Sequence, residues 1–347
     1  MLQQYYLIPK HNGERRVKVK RVGIPHGLFY YYYYPLWKTF FSDLGAEVIS
    51  SSDSNRLTLD QGIKLAVDET CLPIKIYFGH VQELCQYKID YLFIPRLVSI
   101  EPRSYICPKF MGVPDMIKAT CNKLPPIIDI TIDVSRTDRL LKKDILRIGK
   151  LFTSDENKIN RAYTHACQEN YFCSMLAREG YTMAEAISLW EGNKVNKYQG
   201  GELNIGVLGH GYSLYDSFIS MNLINRLRSM GCNTIFAETL DKEDIEQEAA
   251  TIPKRVFWTL GRKMVGSALY MDKSKDIDGI VYLACFGCGP DSLVGEIIAR
   301  KVKHKPFMLL TIDEHSGEGG LVTRLEAFCD MLRRRRVHNE GNLPAYG

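Results

Sequence analysis

Short apolar runs alternate with stretches of helical spacing along most of the chain. Residues 19–25 read as a strand entering a turn. Leu36, Phe40, Phe41 and Leu44 then share one helix face that Gly45 stops. Glu47–Ser50 is a second strand, followed by the hydroxyl-rich loop 50–54. Residues 57–67 predict a helix, and 68–73 open another that runs to about 86, with Pro73 in its first turn. Strands at 91–95 and 126–132 bracket a loop ending near Cys107 and a short helix at 114–121. From 133 to 199 no strand is evident, and 140–152, 155–179 and 182–191 read as helices. The alternation restarts with strands at 203–209, 235–238, 280–283 and 306–312. Helices follow the loop 210–216, then residues 257–263, the turn 284–292 and the loop 313–320. Strands alternating with helices define an α/β protein. The expected architecture is two Rossmann-like open, mostly parallel sheets joined by a helical segment, with a ligand cleft between them. The boundaries fall at 1–134, 135–200 and 201–347. The five successive tyrosines, 30–34, read as core and cleft wall, with an aromatic ligand platform as the alternative.

Composition narrows the class without naming a function. The chain has 347 residues, 45% hydrophobic and 24% charged, and a formal charge of +5, as in ordinary globular proteins. The basic run 333–336 reads as a solvated helix C-terminus, so no nucleic-acid partner is expected. The first twenty residues hold no apolar segment of signal-peptide length, and no apolar run reaches membrane-spanning length. A cytoplasmic protein is expected, with its ten cysteines as thiols or ligands and not as a disulfide framework.

Those cysteines carry the strongest chemical signal. Cys285 and Cys288 sit where a strand hands over to a helix, and a thiolate there gains from the partial positive charge of unpaired N–H groups. Gly287 and Gly289 remove Cβ bulk beside them, and Asp291 or Ser292 is placed to cap the helix. A lone C-x-x-C leaves metal or cluster, redox dithiol and inert cysteines open. Cys71 sits at another helix start and Cys107 follows a strand, so both belong to edges where open α/β sheets bind ligands. Four thiolates suit a tetrahedral zinc or an iron–sulfur cube, and the wide spacing argues against a structural zinc. Cys167 and Cys173 read as core residues. In the loop 313–320, Glu314 and His315 have two readings of equal weight, acid–base catalysis and a clamp between the two halves. Arg324 and Glu326 read as a surface pair, and GVLGHG lacks the G-x-G-x-x-G spacing of a dinucleotide turn.

Seven segments in one order strengthen the picture: GIPHGLFYYYYYPLWKTFFSDLGAEVISS, DETCLPIKIYFGHV, DYLFIPRLVSI, YICPKFMGVPDMI, GVLGHGYSLYD, ACFGCGPDSL and TIDEHSGEGGLVTRLEAF. Together they resemble the acyl-CoA dehydratase activase-related proteins, stand-alone relatives of one module of the CoA-substrate-specific enzyme activases. These are distantly similar to the 2-hydroxyacyl-CoA dehydratase and double-cubane-cluster proteins. The resemblance implies an oxygen-sensitive iron–sulfur protein of anaerobes, with a 4Fe-4S cluster or a double-cubane 8Fe-9S cluster. Its implied ligands are Cys71, Cys107 and Cys285, with Cys288 as the further candidate. The implied partner is an ATP-hydrolysing activase carrying its own cluster and delivering low-potential electrons, alongside a 2-hydroxyacyl-CoA dehydratase-like subunit. The ATPase module itself is not expected in this chain. At His210 and Gly211 the sequence departs from the Arg and Pro that commonly precede the tyrosine of this loop. The alternatives are a non-redox scaffold holding a small ligand or CoA, and a structural zinc protein.

Overall fold

The structure, a computed structural model, describes residues 19–340, so most of the leading stretch read for an export signal lies outside it. Six strands form in the first half: β1 (Arg21–Ile24), β2 (Glu47–Ser50), β3 (Tyr91–Phe93), β4 (Arg96–Ser99), β5 (Ile127–Ile128) and β6 (Thr131–Asp133). Four follow later: β7 (Leu203–Gly209), β8 (Cys232–Phe236), β9 (Gly279–Cys285) and β10 (Phe307–Ile312). The helices are α1 (Tyr30–Asp43), α2 (Arg56–Leu65), α3 (Leu72–Leu84), α4 (Pro108–Thr120), α5 (Arg139–Gly149), α6 (Glu156–Arg178) and α7 (Met183–Trp190). They continue as α8 (Gly211–Leu214), α9 (Leu223–Ser229), α10 (Lys242–Ala250), α11 (Thr259–Lys273), α12 (Gly289–Lys301) and α13 (Glu318–Glu340).

Every strand pairing among the described residues is parallel. One sheet has the order β2-β1-β3-β5 and another β10-β9-β7-β8, while β4 and β6 pair separately. Read from β2 and from β8, the two larger sheets repeat one topology. In each the order reverses beside the first strand, between β1 and β3 and between β7 and β9, and loops leaving such a reversal form a crevice at the strands' carboxyl ends. Helices covering both faces explain why β9 is buried along its whole length, GIVYLAC, instead of alternating.

The α/β class read from the sequence is therefore observed. Differences arise where short segments choose partners far away. The stretch expected as one strand at 126–132 divides, because β5 pairs with β3 while β6 pairs with β4, inside the stretch read as loop. Helix α4 begins at Pro108, earlier than the predicted 114. Helix α1 begins at Tyr30 and absorbs the tyrosine run, with Pro35 inside it.

One buried apolar cluster runs from Val22 through Ile148, Ile205 and Val207 to Leu332, spanning both sheets and α5–α7. Helices α6 and α7 pack on α1, so the helical segment is fastened to the first half. Helices α2 and α3 approach unusually closely: a Cβ at Gly62 would stand 1.8 Å from the Lys75 carbonyl oxygen, and one at Gly79 1.9 Å from that of Thr58. This contact fixes α3, whose first turn presents Cys71.

Candidate functional site

Three of the sequence-selected cysteines occupy the same structural position. Cys71 is the N-cap of α3, Cys107 of α4 and Cys288 of α12, and in each case a proline stands in the helix's first two positions. Cys285 is the last residue of β9. First-turn backbone N–H groups face the three sulfurs, Ile74 toward Cys71, Lys109 and Phe110 toward Cys107 and Asp291 toward Cys288, and each favours the thiolate, although none makes a capping bond of ordinary length.

The structure brings the four together. Lys109, two residues after Cys107, donates to the carbonyl oxygens of Glu69 (3.1 Å) and Gly287 (3.3 Å), tying the three cysteine-bearing turns to one ammonium. Cys71 interacts electrostatically with Cys107, Cys285 and Cys288, and the Asp291 charge acts on all four thiols. Gly287 adopts φ +72°, a left-handed turn that glycine takes without strain. A Cβ at Gly289 would meet open space, so no close backbone approach is visible there.

Two residues that sequence reasoning passed over complete the pocket. The Asp291 carboxylate is buried and accepts from the Tyr282 hydroxyl (2.8 Å) and His210 Nε2 (2.9 Å). The sequence suggested for it only a helix cap. His210 is the N-cap of α8, 3% exposed, and its Nδ1 has no hydrogen-bond partner in the protein. His210, Cys288 and Asp291 each offer a ligand atom within 4.8 Å of the other two, and all three are buried. Their signal in the sequence was position alone, at the carboxyl ends of β7 and β9. Ser213 lies 3.3 Å from the Cys285 sulfur.

Electrostatically the pocket departs from the expectation of a ready thiolate. Burial pushes all four thiols up, and Asp291 adds to it, while Lys109 beside Cys71 and Cys107 opposes it. Desolvation outweighs three helix N-termini. Burial also pushes Asp291 up, but His210 and the Tyr282 hydroxyl hold its carboxyl below the usual range. The pocket therefore pairs thiols that need a cation to ionise with a carboxylate already charged. This donor set, with its orphaned imidazole nitrogen, fits a metal or cluster.

Other predicted residues lie elsewhere. Lys75 forms an ion pair with Glu314, its side chain 7% and that of Glu314 17% exposed. Burial raises the Glu314 carboxyl, and the Lys75 hydrogen bond, its own backbone N–H and the Lys75 charge together hold it below its usual value. His315 is exposed, with its backbone N–H donating to Asp313. Cys173 is buried as expected, whereas Cys167 is exposed. Cys232 and Cys329 lie in the core with their sulfurs 3.6 Å apart. Arg324 donates to the Leu309 carbonyl. No described helix is long and apolar enough to cross a membrane.

The protein belongs to the family described as the CoA enzyme activase uncharacterised domain, which matches residues 21–240. Cys71, Cys107 and His210 fall inside the matched stretch, Cys285 and Cys288 beyond it. No curated protein matches the chain in sequence. A solved structure, glutamate racemase isoform RacE1 from Bacillus anthracis, aligns at 10% identity over 92% of this chain and 83% of that chain. Its TM-score of 0.21 is too low to carry any argument.

Proposed function

We propose that Cys71, Cys107, Cys285 and Cys288 hold an iron–sulfur cluster. The protein is then a redox component of a CoA enzyme activase system, two α/β units (1–134 and 201–347) around the cluster, joined by 135–200. The observation that carries the reading is the convergence of three Cys-capped helix N-termini and the end of β9 on one buried pocket. Three positive helix ends favour an anionic thiolate assembly once a metal has taken the thiol protons. The bound cluster would supply one-electron transfer at a potential set by its ligands and surroundings. Lys109, Ser213 and Tyr212 would surround the sulfurs, Lys109 supplying positive charge. Electrons would come from an ATP-hydrolysing activase, docking where Phe286, between two of the cysteines, is 69% exposed. They would pass on to a dehydratase-like subunit or to a small substrate. We assign Glu314 the clamp between halves and His315 any proton transfer at this edge. Phe286→Glu is expected to slow reduction by such an activase without changing iron content; unchanged reduction would remove this docking face.

One observation favours a second reading. His210, Cys288 and Asp291 hold their ligand atoms within 4.8 Å of one another, the span of a single ion. A mononuclear centre on His210, Cys288 and Asp291 needs less opening than a cube. Iron and sulfide analysis separates the two: a cluster brings acid-labile sulfide, a mononuclear centre does not. In the mononuclear case Cys71→Ser keeps the metal and His210→Ala loses it.

A further inference from the structure

A cavity of about 410 Å³, with no cysteine in its lining, opens between the turn after β1, the start of α1, helix α7 and the stretch from α8 to α9. Its volume suits a small metabolite. At its wall Asp216, 2% exposed, accepts hydrogen bonds from the Ser54 hydroxyl and from the backbone N–H groups of Phe218 (3.0 Å) and Ile219 (2.9 Å). None of these donors is a cation. Ser54 in turn lies 2.9 Å from His80 Nε2, and the fully buried His80 has no partner for its other ring nitrogen. His26 contacts Asp53 at 3.4 Å and packs on the Tyr30 ring at 4.1 Å between centroids.

The charges around this cavity do not balance. Arg228 is committed to Glu185, and Lys38 to Glu191. Asp53 and Asp216 are left facing two imidazoles that burial keeps neutral, with His80 pushed down to about 3 and His26 lowered. Burial also raises Asp216, as expected of a carboxylate without a cationic partner. A single positive charge beside Asp216, in the cavity that Asp53 also lines, would complete the site.

We propose that this cavity binds a small molecule carrying a protonated amine, its ammonium set against Asp216 with Asp53 on the same cavity's wall. Carboxylates and polyphosphates, CoA included, are the wrong charge for it. The proposal uses none of the cysteines and stands whether or not the cluster reading does.

Calorimetric titration of the full chain with putrescine and ethanolamine, against acetate, glycerol and CoA, tests it. The amines are expected to bind, and Asp216→Asn, which keeps an oxygen for the two backbone N–H groups, to weaken them at least about tenfold. Asp53→Asn, at a side chain 92% exposed and therefore safe for folding, is expected to weaken them several-fold. Absence of amine binding at about 10 mM, or amine binding indifferent to both Asp variants, overturns the proposal. So does tighter binding of acetate or CoA than of the amines.

Discussion

At the residue scale, the cysteine pocket sets two opposed effects against each other. Helix N-termini favour thiolates, burial disfavours them, and burial prevails until a cation arrives. Cys285→Ser and Cys288→Ser are each expected to abolish metal retention after reconstitution, while Cys167→Ser, at an exposed position, retains the wild-type content. Retention by both site variants would show that the sulfurs are not ligands. A separate expectation concerns His80, whose burial lowers it to about 3 from an ordinary 6.5. Between these values the unfolded chain carries a proton there and the native protein does not. Stability contributed by keeping the ring neutral is thus fully present above 6.5 and is lost on acidification, at about 1.4 kcal/mol per pH unit. Denaturant titrations from pH 7 to 4 should show this component in the wild type and not in His80→Gln; identical profiles would contradict it. Cys285, Cys288, Cys71 and Cys107 were legible because thiols at strand ends and helix starts are chemically conspicuous. His210 and Asp291 were not, since a histidine after a glycine and an aspartate in a helix's first turn have ordinary structural uses.

At the element scale, the site depends on helices whose starts are fixed by backbone packing. Gly62 and Gly79 let α2 and α3 meet carbonyl to Cα, and backbone carbonyls have no rotamer with which to yield. Gly62→Ala or Gly79→Ala is expected to destabilise by about 2–3 kcal/mol and to displace Cys71. Gly317→Ala, whose Cβ would meet nothing, should stay within about 0.5 kcal/mol. Equilibrium unfolding of the three variants makes the comparison, and equal stabilities would refute the close-packing argument. Nothing in the sequence marks Gly62 and Gly79, because a helical glycine looks the same whether or not a neighbour presses on it. The same limit explains β4 and β6: two short polar-flanked segments become strands only through each other.

At the scale of the whole molecule, two sheets repeat one strand order, and named contacts tie segments of the first sheet's half of the chain to segments of the second's. Tyr105 exchanges backbone hydrogen bonds with Phe257 and Thr259, Tyr32 accepts from Gly211, and Lys75 pairs with Glu314. Lys75→Met leaves a part-buried carboxylate unpaired and is expected to cost about 1–2 kcal/mol, and Lys75→Met/Glu314→Gln to restore part of it. A double variant no more stable than the single would mean that the unpaired carboxylate carries no penalty. The alternation of strands and helices made the layered halves legible, and the strand ends made the ligand edge legible. Which ends meet was settled by long-range packing that periodicity does not encode. The central claim, a thiolate-held cluster where those ends meet, is tested most directly by reconstituting the full chain without oxygen and measuring iron, acid-labile sulfide and the reduced-state EPR spectrum together. Stoichiometric iron and sulfide are expected, with a cluster signal that disappears in Cys285→Ser/Cys288→Ser. A colourless protein without iron, or iron bound equally by that variant, would contradict it.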